Sequence, residues 1–126
     1  MESRWLRRSL LTSTALLAAS LPLTPQEKNQ TERIPQFDNA AVKVWKSVVL
    51  PNAPLTLHRH EHPRVIIALA GGTMKIVQQS GGSETHQWET GKAYWLGVDP
   101  PGQLHADVNA GNKPIEVMVV ELEQSK

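Results

Sequence analysis

Five consecutive residues, His58-Arg59-His60-Glu61-His62, carry the densest coordination chemistry in the chain. In an extended segment, side chains alternate between faces, so imidazoles at 58, 60 and 62 would share one side. Neutral imidazole is the commonest protein ligand for a divalent transition metal, and two rings at alternate positions can hold one ion. The same composition also suits a solvated turn that ends at Pro63. A further histidine far along the chain, His105, favours the metal reading. It follows the turn Pro100-Pro-Gly-Gln-Leu104 and opens a second polar stretch in which Asp107 and Asn109 share its face. The 126 residues include no cysteine, so a transition metal would have to be held by His, Asp or Glu.

Short extended segments must position these side chains. Residues 42–50 alternate apolar and polar well enough for a strand; Pro51-Asn-Ala-Pro54 interrupts it, and 55–60 resumes as the strand carrying the first His pair. Residues 64–70 form an apolar run stopped by Gly71-Gly72. Segments 73–78 and 83–88 flank Ser80-Gly81-Gly82, a hairpin signal. Segments 92–96, 104–109 and 115–122 complete a set of about eight strands at regular spacing, with no convincing helix among them, which indicates a small all-β sandwich or barrel over 41–122. Residues 21–40, with Pro22, Pro25 and Pro35 and no periodicity, read as an extended arm or linker. Residues 123–126 read as a tail, and Glu121-Leu-Glu123 as a solvated end.

The His-x-His pair, the downstream Gly71 and the Pro100-x-Gly102-x-x-His105-x-x-x-Asn109 spacing together resemble the two signature motifs of the cupins. The resemblance implies a double-stranded β-helix, or jelly roll, and metal ligation by His58, His60 and His105. The chain departs from the family pattern in three places. Asn52 stands where the first motif opens with Gly. Gly91 lies three residues ahead of the opening Gly of the second motif, which falls on Tyr94, and a longer turn around Gly97-Val98-Asp99 accounts for the offset. Arg64 replaces the metal-binding Glu.

A three-His site still offers enough donors for Zn²⁺, Fe²⁺, Mn²⁺ or Cu²⁺, with open positions for water or substrate. Arg64 constrains it. At about 5 Å and an effective dielectric near 20, its charge would repel a dication by roughly 6 to 7 kcal/mol. The guanidinium must therefore turn outward, pair with an acid such as Asp107 or Glu61, or hold the carboxylate of an anionic substrate; otherwise no metal binds. Glu61 and His62 are candidates for an additional ligand, and Gln103, Asp107 and Arg64 for contacts to the ligands or to substrate. His86 reads as a surface residue, and Trp45, Trp88, Tyr94 and Trp95 as core or barrel-mouth aromatics.

Length and charge bound the remaining choices. The chain has the size of one domain, and a formal net charge of +1 gives no field that argues for nucleic acid. Arg4, Arg7 and Arg8 precede an uncharged stretch ending in Ala18-Ala19-Ser20, the pattern of a signal peptide over 1–20, loosely of twin-arginine type. An attached amphipathic helix, leaving the protein cytoplasmic or membrane-tethered, is the competing reading. The expectation is an exported, periplasmic or secreted cupin-like protein with one divalent metal ion, acting on or binding a small anionic molecule by oxygenase- or isomerase-type chemistry. The alternative is a non-catalytic barrel that has lost the metal and uses Arg64 to hold a carboxylate. A homodimer is expected, formed through 65–69 and 117–120.

Overall fold

The computed structural model describes residues 18–20 and 30–123. Eight strands follow in order: β1 (Glu32–Asp38), β2 (Val42–Val49), β3 (Arg64–Ala70), β4 (Gly72–Gln78), β5 (Ser83–Trp88), β6 (Ala93–Leu96), β7 (His105–Asn109) and β8 (Ile115–Leu122). They form a five-stranded sheet in the order β1-β2-β8-β3-β6 and a three-stranded sheet in the order β5-β4-β7. All strand pairings are antiparallel. Among the described residues no helix is long and apolar enough to cross a membrane.

Side-chain alternation sets the core. Ile115, Val117 and Val119 of β8 point inward, as do Ile66 and Ala68 of β3, and they meet Trp45, Val49, Leu55, Met74 and Trp88 in one buried cluster. β-Branched residues suit these pleated, packed positions. Each fully buried aliphatic side chain contributes about 1.5–3 kcal/mol. Between β3 and β4, a Cβ on Gly71 would collide with the carbonyl oxygen of Trp88, so no larger residue fits there. The hairpin at Ser80-Gly81-Gly82 closes as its composition predicts, with Gln78 N–H donating to the Gly82 carbonyl at 2.7 Å.

Two segments differ from the sequence reading. The second half of the expected arm is strand β1, so the folded region begins at Glu32 instead of Ala41. Pro35 hid it. Proline cannot donate to a central ladder, but β1 is an edge strand bulged between Pro35 and Phe37, where that loss is tolerated. Conversely, 55–60 is no regular strand. It runs beside β7 through Leu55 N–H to Asp107 O at 3.1 Å and a reciprocal His58–His105 backbone pair at 2.9 and 2.8 Å. Pro51 and Pro54 withhold the donors that a continuous ladder needs. Asn52, in place of the motif's Gly, has φ of 55°, a left-handed conformation that Asn tolerates better than most residues. The expected signal segment falls mostly on 1–17, outside the described residues.

Candidate metal centre

Two chain segments bring the three expected ligands together. His58 and His60 come from the extended stretch before β3, and His105 opens β7. One ring nitrogen from each lies within 4.8 Å of the others. The ring centroids are 4.9 Å apart for His58–His60, 4.5 Å for His58–His105 and 5.6 Å for His60–His105. His60 and His105 are buried and His58 is half-buried.

The surroundings of each ring decide which nitrogen is available. His58 Nδ1 lies 2.7 Å from the Thr56 carbonyl. A carbonyl only accepts, so Nδ1 carries the proton and Nε2 presents a lone pair. That Nε2 is buried and makes no hydrogen bond. A buried polar atom without a partner is costly, and an ion would satisfy it. His60 Nδ1 faces Glu121 Oε2 at 3.6 Å, and His105 Nδ1 faces Asp99 Oδ2 at 3.5 Å. Asp107 sits on the opposite side, with Oδ2 3.5 Å from His58 Nε2 and Oδ1 3.6 Å from His105 Nε2.

Burial is the largest cause lowering the pKa of both His58 and His60. For His60, Arg64 adds to it and the pKa falls to about 2. These rings are therefore held neutral, the form that binds a metal. Three clustered imidazoles, with the inward Nε2 of His58 unsatisfied, fit a divalent transition metal.

Arg64 is buried and turned inward. Its guanidinium donates to the Gly97 carbonyl at 3.0 Å and lies 3.8 Å from Asp99 Oδ1. The partnering acid is thus Asp99, neither of the two acids considered from sequence; Asp99 also accepts the His60 backbone N–H at 2.7 Å. Burial depresses the Arg64 pKa, while Asp99, Asp107 and Glu121 hold it up. Arg33 of β1 lies near two of these acids, Asp107 and Glu121, with its guanidinium carbon 5.2 Å from the centre of the Trp45 ring.

Other candidates lie elsewhere. Glu61 is exposed and pairs with Arg59 at 2.9 Å, and His62 faces Glu123 at 3.8 Å. Gln103 is exposed in the turn before β7. His86 stacks on Trp88 and pairs with Glu84 at 3.1 Å. Asn109, the last residue of the second motif, is fully buried and structural: Nδ2 donates to the carbonyls of Val49 and Lys113, and Oδ1 accepts the Gly111 N–H. Trp45 and Trp88 are core residues, whereas Trp95 is on the outside, 61% exposed.

Three residues in the site escaped sequence reasoning: Arg33, Asp99 and Glu121. Glu121 is the clearest correction, since it is not a solvated end but faces inward in register with Arg64 across β3 and β8. Its parity with Val117 and Val119 was the available signal.

A cavity of about 50 Å³ runs from His60, Arg64 and Asp107 to Met74 and Trp88. Arg64 also lines a larger space of about 220 Å³ beside His86, Val98 and His105.

No family model matches the chain, and no curated protein matches it in sequence. Solved structures do. A cupin domain from Bordetella pertussis Tohama I superposes with a TM-score of 0.66 at 22% identity, covering 79% of this chain and 100% of that one. An RmlC-like cupin protein with a double-stranded β-helix fold from Methanocaldococcus jannaschii gives 0.58 at 12% identity, covering 84% and 92%. A double-stranded β-helix protein from Klebsiella pneumoniae gives 0.57 at 18%, covering 79% and 82%. The chain has the cupin fold, a double-stranded β-helix with three histidines clustered at its polar end.

Proposed function

We propose that this protein binds one divalent transition metal through His58, His60 and His105, and uses the centre to hold and act on a small anionic molecule. The observation that carries the reading is the inward Nε2 of His58, buried without a hydrogen bond beside two other imidazoles. Bound there, a metal would supply Lewis-acid polarisation of an oxygen, with positions left open for it.

Charge supports an anionic ligand. The carboxylates of Asp99, Asp107 and Glu121 against the guanidiniums of Arg33 and Arg64 sum to one negative charge around the three rings. A dication turns that into one positive charge. The small cavity at His60 and the larger space at His105 suit a small molecule. The engagement of Arg64 with Gly97 and Asp99 favours this reading over a metal-free barrel in which Arg64 takes the ion's place. Export and a homodimer belong to the same proposal. For the dimer, only the outward residues of the two expected stretches are available, Val65, Ile67 and Leu69 of β3 with Met118 and Val120 of β8, because their neighbours face the core.

Elemental analysis of freshly isolated protein tests the metal directly. One equivalent of a first-row metal is expected, lost in His58→Ala and His105→Ala; at a hundredfold excess over Kd the ion would stabilise the fold by about 2.7 kcal/mol. A folded protein that takes up no such ion refutes the proposal.

A further inference from the structure

The cupin pattern places its acidic ligand where this chain has Arg64, and the structure holds another carboxylate beside two of the three imidazoles. We infer that Asp107 is the fourth metal ligand, so that the site is three histidines and one aspartate. This rests on the three-histidine reading above.

The argument comes from which side of each ring is occupied. Nδ1 of His58 is committed to Thr56, and Nδ1 of His60 and of His105 faces an acid, Glu121 and Asp99 respectively. That side orients the rings, because an acceptor on one nitrogen directs the other toward the ion. Among the described residues the one acid facing the Nε2 side is Asp107, with Oδ2 3.5 Å from His58 and Oδ1 3.6 Å from His105. Those distances, like the 3.6 and 3.5 Å of the acids on the Nδ1 side of His60 and His105, are too long for close hydrogen bonds, and what sets Asp107 apart is that it spans two rings. The Asp107 distances match the separation of neighbouring ligands on one ion: donors at about 2.0–2.2 Å with tetrahedral angles stand roughly 3.4 Å apart.

Asp99 is excluded from the role because its Oδ2 already accepts the His60 backbone N–H at 2.7 Å and its Oδ1 faces Arg64. Strand geometry explains why Asp107 can take it. Two residues after His105 on β7, it shares the inward face, and Leu55 N–H donates to its carbonyl, fixing that part of the backbone against the His58 segment.

Arg64 and Asp107 thereby exchange the expected arrangement of charge. The acid leaves the strand after the first pair of histidines and returns on the strand of the third. Arg64, relieved of coordination, holds Asp99 against His105.

Titration of the full-length protein with Co²⁺, followed by its visible d–d bands, tests this. Wild type and Glu61→Gln should give the same band positions, since Glu61 is exposed and pairs with Arg59 away from the three rings. Asp107→Asn should shift the bands and weaken Co²⁺ binding by about tenfold or more. Asp107→Glu should recover affinity with bands of its own. Wild-type bands and affinity in a folded Asp107→Asn protein would overturn the fourth ligand and leave the three histidines standing. Failure of wild type to bind Co²⁺ would overturn both. If Asp107→Asn does not fold, Asp107→Glu decides: altered bands support ligation, and unaltered bands refute it.

Discussion

The two ends of the barrel interior are built on the same strands and do opposite things. Along β8 the inward residues run Ile115, Val117, Val119, Glu121; along β3, in register beside it, Ala68, Ile66 and Arg64 face the last three. Two residues, one full repeat of the pleat, separate the Ile66–Val119 pair from Arg64–Glu121. The apolar end gains stability from burial alone. The polar end concentrates two guanidiniums, three carboxylates and three imidazoles, groups costly to remove from water unless each finds a partner. Packing at one end therefore stabilises and positions a constellation that could not hold itself together at the other.

The comparison can be broken from its apolar side first. Trp88→Ala should cost about 3–5 kcal/mol, read as a lower urea midpoint, because Trp88 is buried against Tyr94 and stacks on His86. A loss below 1 kcal/mol, by the same scale, would show that the apolar end is not what supports the fold.

Acid should attack the polar end. His58 and His60 have folded-state pKa values below their ordinary value, so the unfolded chain binds protons more readily than the native one. Their contribution to stability is complete above about pH 6.5 and is lost as pH falls, for His60 over the range down to about 2. Thermal melts of metal-free protein should show a lower Tm at pH 4.5 than at pH 7.5, and His60→Gln should flatten that slope. An identical slope in the variant would mean that His60 does not set the acid sensitivity.

The smallest effects sharpen the boundary of the site. Glu61→Gln and Gln103→Ala alter exposed side chains, one in a surface ion pair and one in a turn. Each should change stability by about 0.5 kcal/mol or less and leave metal content unchanged. A loss of metal in either would enlarge the centre beyond the three-histidine end.

Much of the scaffold was legible residue by residue. β3 and β8 stand where apolar periodicity placed them, at Arg64–Ala70 and Ile115–Leu122, and the β4–β5 hairpin turns on its Gly pair. β1 was not legible, since Pro35 argues against a strand and only its place at a sheet edge permits one. The irregular course of 55–60 was equally hidden. Alternation put His58 and His60 on one side, but the contact that holds them there is a backbone pairing with His105 on β7.

The residue types and their spacing by themselves determined the all-β class and the exclusion of thiolate ligands, because periodicity and composition are local properties of the chain; the choice of His58, His60 and His105 came with the resemblance of their motifs to those of the cupins. Tertiary structure alone decided the charges around them. Asp99 meets His60 from 39 positions away, and Glu121 faces His60 from a strand end that reads as solvated. Electrostatic partnership depends on distance and desolvation in space, and neither is written in the order of residues.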